Sequence, residues 1–229
     1  MLAAAAFSLG LLFAQAATPA ALAEPAQWGS ARFQQCVATI ESDPEGAYES
    51  AMAWANEAND LEAFRCAARA LIGQGRFDQG ARRLESLGTA AEGHDAYTRA
   101  GLFTEAGHAY LQADDPSHAR GAFTRAIASI GNDTANLPDL LIDRASAYAE
   151  ERDWRNAEED LNRSLDLRPD DAAAYRMRAM VRMRQNALDL ALADAERAVA
   201  LDPRSVDSAL VLGHVRETRR LGHQFDEES

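Results

Sequence analysis

The sequence predicts an all-α solenoid built from helical hairpins, and three observations predict it. Residues echo one another at a 34-residue interval toward the C-terminus. Ala157 is answered by Ala191, Leu161 by Ala195, Ser164 by Ala198, and Leu167-Arg168-Pro169 by Leu201-Asp202-Pro203. A period of this length marks a two-helix unit that buries its apolar face only by stacking on copies of itself. Hydrophobic residues make up 47% of the chain but aromatic ones only 7%, so the apolar mass is mainly alanine and leucine, both strong helix formers. No alternating apolar/polar stretch is long enough to argue for strands. Alanine buries little area per residue, so the core must be thin and repetitive, with stability summed over neighbouring units.

The elements follow in order. Residues 1–23 carry no charged side chain; an apolar run from Phe7 to Ala17 is followed by Pro19 and by Ala21-Leu22-Ala23 before Glu24. This reads as a secretory signal peptide cut after Ala23, although a basic n-region is missing from it. The alternative is a membrane anchor, which Gln15, Thr18 and Pro19 interrupt. In 24–60 a helix is expected over 32–41, and Asp43-Pro44 starts another with Ala47, Ala51 and Trp54 on its face. Together they form a divergent first repeat. In 61–94, Phe64, Ala68, Leu71, Phe77, Gly80, Leu84 and Leu87 fall in register, with Gly75 as the left-handed turn between two helices.

In 100–133 the register holds Phe103, Ala106-Gly107, Tyr110, Ala119, Phe123 and Ala126. Asp115-Pro116 starts its second helix with an acidic N-cap and proline at the first helical position. Residues 131–136 read as a lengthened loop, and the interval stretches again near 95–99. The clean units are 138–171 and 172–205. Leu141, Ala145 and Tyr148 share one face, Trp154, Ala157, Leu161 and Ser164 the next, and Tyr175, Ala179, Leu188, Ala191, Ala195 and Ala198 take the same places one period later. Residues 206–222 read as a lone helix that caps the last apolar face, and 223–229 as an acidic tail.

This pattern resembles the tetratricopeptide repeat family. The family's small residue at the eighth position is matched by Ala145 and Ala179, and that at the twentieth by Ala157 and Ala191. A large side chain at either place would push the paired helices apart. The resemblance implies a right-handed superhelix of about five repeats plus a C-terminal capping helix, acting as a non-enzymatic scaffold that binds a protein or peptide in a concave groove of first helices. In this architecture neighbouring first helices touch. Cys36 and Cys66, one on each of the first two, are therefore expected to form a disulfide if the chain is exported to an oxidising compartment. The alternative is a pair of buried free thiols.

Carried over position by position, the family's groove falls on Arg65 and Arg69; Thr104, His108 and Gln112; Ile142 and Ser146; Arg176, Met180, Met183 and Arg184; and Leu210 and His214. Methionines repack around varied apolar side chains, and guanidinium groups fork a carboxylate. The patch from Arg176 to Arg184 therefore suits a peptide with an acidic element, unless its methionines are simply buried against the next helix. Some family members clamp a peptide C-terminus with lysine and asparagine, and the matching positions here carry neither.

Charge narrows the partners. The formal net charge is −13, with 36 acids against 23 bases, all of them arginine. Phosphate binding wants a basic face, so nucleic acid is not an expected partner. Arg144 and Asp160 stand sixteen residues apart, as do Arg178 and Asp194. The spacing predicts either a recurring ion pair between the two helices of a hairpin or two exposed charges at similar places. No HExxH, GxSxG, P-loop or GxGxxG motif occurs, and the five histidines are scattered. No enzyme activity, cofactor or metal is expected. The expected location is periplasmic or secreted, with no membrane insertion of the mature chain. The alternative function is a structural protein that self-assembles into homo-oligomers through its repeat surface.

Overall fold

The structure, a computed structural model, describes residues 29–131 and 133–222. The expected signal peptide and acidic tail lie outside the described residues. Among those described, eleven helices follow one another: α1 (Ala31–Ile40), α2 (Pro44–Ala58), α3 (Leu61–Gly73), α4 (Phe77–Ala90), α5 (Ala96–Gln112), α6 (Pro116–Ile130), α7 (Leu137–Glu150), α8 (Trp154–Leu167), α9 (Ala172–Arg184), α10 (Leu188–Leu201) and α11 (Val206–Leu221). Each packs against the next, giving an all-α stack of hairpins.

One turn recurs inside four hairpins. Gly75, Asp114, Arg152 and Asn186 all take positive φ, between 57° and 75°. The residue after each donates its backbone N–H five residues back, from Arg76 to Leu71, Asp115 to Tyr110, Asp153 to Tyr148 and Ala187 to Arg182, at 2.8–2.9 Å. This is the Schellman closure of a first helix. Only one of the four turns uses glycine, which is why the sequence reveals only that one. The second helices α8 and α10 end differently. Arg168 and Asp202 are extended, with φ near −134° and −131°, as the residue before a proline must be. Pro169 and Pro203 thus set the ends that the 34-residue echo marks.

Aspartate starts the helices. Asp43, Asp60, Asp95, Asp115, Asp153 and Asp171 each accept a backbone N–H at an N-terminus, a bond worth about 1 kcal/mol in such places. Part of the acidity is therefore capping rather than solvated exterior. Asp95 also explains the stretched interval near 95–99. Those residues are not a loop: α5 begins at Ala96, so the insertion is an added first turn of helix. The extra length at 131–136 does lie between α6 and α7.

The core is a row of small clusters rather than one mass. Ala145, Ala157, Leu161, Leu165, Ala174 and Val181 form one; Ala179, Ala191, Ala195 and Val215 form the next. Upstream the small residue is glycine and its neighbour is large. A Cβ added at Gly107 would stand 2.5 Å from the Phe123 ring, and one at Gly88 2.8 Å from Phe103. The predicted ion pairs are formed. Arg144 grips Asp160 through two bonds of 2.7 Å, and Arg178 grips Asp194 through bonds of 2.9 and 2.7 Å. Both carboxylates are about 5% exposed or less, far more buried than the surface charges of the alternative reading. Arg182 adds a third cation, 2.8 Å from Asp194 and 2.8 Å from Glu158.

Alternate helices differ in how they meet. First helices pack directly at α1 on α3, α5 on α7, α7 on α9 and α9 on α11, and Arg65 of α3 reaches Glu105 of α5 to join the remaining pair. Successive second helices are joined by reaching side chains, as Arg83 to Tyr48 (3.0 Å) and Arg125 to Glu85 (2.8 Å). The first helices therefore form one continuous face.

Candidate functional site

That continuous face carries the sequence-predicted site residues, and it has two ends of different character. At the N-terminal end, Arg65 and Arg69 of α3 lie over the Phe33 ring, 5.2 and 5.8 Å from its centre. Both turn toward Glu105 of α5. Arg65 donates to it from Nε at 3.0 Å, and Arg69 stands 3.9 Å away. Beside them opens a cleft of about 320 Å³ between α1, α3 and α5. Val37, Ile40, Ile72 and Ala109 give it an apolar wall, and Arg69, Glu105, His108 and Gln112 a polar one. Three predicted residues, Arg69, His108 and Gln112, are thus brought together here.

Moving along the face, His108 Nε2 reaches Asp143 of α7 at 3.0 Å and its ring meets Phe123 edge-on. The Asp143 hydrogen bond raises the imidazole pKa above its ordinary value, against the opposing effect of burial. Thr104 is engaged with its own helix, its hydroxyl donating to the Ala100 carbonyl at 2.9 Å. Ser146 likewise donates to the Asp143 carbonyl at 2.6 Å, and Ile142 packs against the apolar cluster around Ala145.

At the C-terminal end the face is more open. Met180 is 46% exposed and Leu210 of α11 56%. Arg176 contacts Asp207 of α11 at 3.3 Å across this surface, and Arg184 and His214 are exposed on it. The predicted methionine pair divides. Met183 is half-buried against the cluster of Ala179, Ala191, Ala195 and Val215, where it meets the Thr218 hydroxyl; Met180 alone faces outward.

Sequence reasoning missed the acids on this face: Glu105, Asp143 and Asp207. Each answers a base on the preceding first helix, 40, 35 and 31 residues earlier. Opposite charges about one repeat apart were the available signal. The two cysteines are also brought together. Cys36 of α1 and Cys66 of α3 have Cα atoms 6.4 Å apart, within the span a disulfide bridges. Among the described residues no group of three or more His, Cys, Asp or Glu could hold a metal ion, and no helix is long and apolar enough to cross a membrane.

The arrangement, stacked helical hairpins with small residues at their crossings, has counterparts among solved structures. MamA from Desulfovibrio magneticus RS-1, residues 41 to the end, superimposes with a TM-score of 0.61 over 76% of this chain and 93% of its own, at 16% identity. A MamA RS-1 ArsTM double mutant gives 0.61 over 75% and 91%, also at 16% identity. The first TPR of Spaghetti (RPAP3), bound to the HSP90 peptide SRMEEVD, is 26% identical over 56% of this chain and 98% of its own, with a TM-score of 0.49. No protein-family model and no curated protein matches the chain. The chain has the tetratricopeptide-repeat fold.

Proposed function

We propose that this protein is an exported, non-enzymatic scaffold that holds a peptide segment of a partner protein along its first-helix face. One observation carries the reading: Met180 of α9 and Leu210 of α11 are both exposed on helices that the Arg176–Asp207 contact joins, with Arg184 also exposed on α9, on an otherwise acidic protein. An adaptable thioether beside an aliphatic side chain binds apolar groups with little demand on shape. Guanidinium groups at the rim prefer a ligand that carries carboxylates. The partner is therefore an extended or helical peptide with an apolar anchor and an acidic element. The cleft beside Arg69 and His108 takes a second anchor at the far end of the same face.

Export is supported by the leader-like segment 1–23 and by the cysteines. Cys36 and Cys66 form a disulfide in this reading, a bond that persists outside the reducing cytosol. A thiol titration of the native, unreduced protein tests it: no free sulfhydryl is expected, and two would overturn the bond.

The binding reading is tested by placing a photo-crosslinking residue at Met180 and, as a control, at the exposed Arg163 of α8, in cells. A discrete adduct is expected from position 180 only, and it disappears when Arg176 and Arg184 are both changed to Glu. An adduct set untouched by the charge reversal sinks the proposal. An adduct consisting solely of a second copy of this chain favours self-assembly instead.

A further inference from the structure

The last described helix, α11, carries at its eighth and eleventh repeat positions a small residue, Gly213, and an arginine, Arg216, as α9 does where it seats α10, yet no described helix covers them. Residues of α9 and α11 correspond at the 34-residue interval. On α9, Tyr175, Ala179 and Arg182 face α10. Arg197 lies over the Tyr175 ring, Ala179 is fully buried with Ala191 and Ala195, and Arg182 grips Asp194 at 2.8 Å. One period later these places hold Ala209, Gly213 and Arg216 of α11, and all three are exposed. Val206, one turn earlier on the same side, is 71% exposed. The eighth repeat position makes the contrast sharp. A Cβ at Gly107 would strike Phe123 of α6, whereas a Cβ at Gly213 meets nothing within 4 Å.

The surface is graded along its length. Its first half, made of Val206, Ala209 and Gly213, is apolar or small. Its second half carries Arg216 and Arg220, whose present acid contacts, Glu196 at 3.1 Å and Glu217 at 2.6 Å, lie at the solvent surface. Such exposed pairs are weak and readily exchanged.

We infer that α11 is a docking seat for an amphipathic helix of another protein, which completes a sixth hairpin in trans. The chain's own second helices define the chemistry of that partner. Ala157-x-x-Asp160-Leu161-x-x-Ser164 and Ala191-x-x-Asp194-Ala195-x-x-Ala198 are the stripes that fill the inner seats. The docked helix carries small residues against Gly213 and an aspartate or glutamate for Arg216. It lies antiparallel to α11, with its acidic N-terminal half over Arg216 and Arg220, where its own helix dipole also favours acids. This seat is distinct from the Met180 surface, and its occupation does not depend on the peptide reading above.

The test uses the full chain and a helix-stapled synthetic peptide with the sequence of residues 187–202, followed by fluorescence anisotropy. Saturable binding is expected. Gly213→Leu fills the seat and weakens binding by about ten-fold or more, on the scale of a central interface residue. Its melting temperature does not fall, because the new side chain enters open space. Arg216→Glu weakens the native peptide and strengthens one in which Asp194→Arg has been made. Met180→Glu, which disables the proposed peptide face, leaves this binding unchanged. Absence of binding to the wild-type chain, or equal binding by Gly213→Leu, overturns the inference. So does a sedimentation experiment in which the wild-type chain is a dimer that Gly213→Leu disperses, since a second copy would then own the seat.

Discussion

The hairpins α5/α6 and α9/α10 solve the same packing problem by different means. In α5/α6 the crossing is a glycine with a phenylalanine laid against it: Gly107 receives Phe123, and both are buried. In α9/α10 the crossing is alanine on alanine, and the area lost is replaced by a buried clasp of Arg178 and Arg182 on Asp194. Steric fit holds the first and charge the second. A steric crossing fails when atoms are added, and a charged one fails when a single partner is removed. The comparison therefore predicts opposite sensitivities.

The largest effect is expected at the clasp. Asp194→Ala leaves Arg178 largely buried without its carboxylate and Arg182 with Glu158 alone, and it is predicted to cost about 3 kcal/mol or more. Chemical denaturation with the linear extrapolation measures this. Asp160→Ala, which strands only Arg144, costs less. Replacing the pair Arg144 and Asp160 together by Met and Leu is expected to be close to neutral, because an apolar pair of similar volume needs no desolvation. A double variant as unstable as Asp160→Ala would show that hydrogen-bond geometry, not the uncompensated charge, sets the cost.

The proposed bridge comes next. A loop of 30 residues closed by Cys36 and Cys66 is worth about 3–4 kcal/mol in the chain-entropy model. Serine at both positions is predicted to lower the stability of α1 to α3 by roughly that amount, while leaving hydrogen exchange in α8 to α10 unchanged. Loss of protection throughout the chain would mean that the stack unfolds as one unit rather than as coupled neighbours.

Smaller again is the glycine contrast. Gly107→Ala forces a Cβ against the Phe123 ring and is predicted to destabilise by about 1–3 kcal/mol. Gly213→Ala at the same repeat position meets open space and gains helix propensity, up to about 1 kcal/mol of stabilisation. Thermal melts of the two variants check the signs. Equal signs would break the assignment of Gly213 to an unfilled seat.

How much of this was legible in the sequence depends on what each feature is made of. The hairpins of α7 to α10 were legible because their signals are local and periodic: Pro169 and Pro203, the alanines at the crossings, and the sixteen-residue Arg–Asp spacing. The left-handed turns at Asp114, Arg152 and Asn186 were not, because aspartate and asparagine signal such a turn far more weakly than glycine and arginine does not signal it at all. The added turn at Ala96 read as a break in the interval, since an insertion that continues a helix shifts the register just as a loop does. On the first-helix face, the bases and the methionines followed from position. Their neutralising acids, Glu105, Asp143 and Asp207, did not, because each lies in the next repeat, at separations of 40, 35 and 31 residues rather than at one recurring spacing. The third member of the clasp, Arg182, escaped because the same place one period earlier holds Tyr148, so its spacing to Asp194 has no echo.

The pair His108 and Asp143 gives the smallest effect and the one that a change of pH alone reveals. The imidazole donates to Asp143 across the α5–α7 contact, with Glu105 as a second nearby carboxylate, and its pKa in the fold is raised above 6.5. A raised folded pKa means that the native state holds the proton more tightly than the unfolded chain does. The stabilisation is then complete below about pH 6.5, and it declines as pH rises through the folded pKa. The ring is 49% exposed, so solvent screening keeps the contribution below about 1 kcal/mol. Melting temperatures of the wild type and of His108→Gln, followed from about pH 5 to about pH 9, should separate at the acid end and converge at the alkaline end. Added salt should narrow the gap. A gap that stays constant with pH would mean that the edge contact of His108 with Phe123, and not its charge, holds α5 against its neighbours.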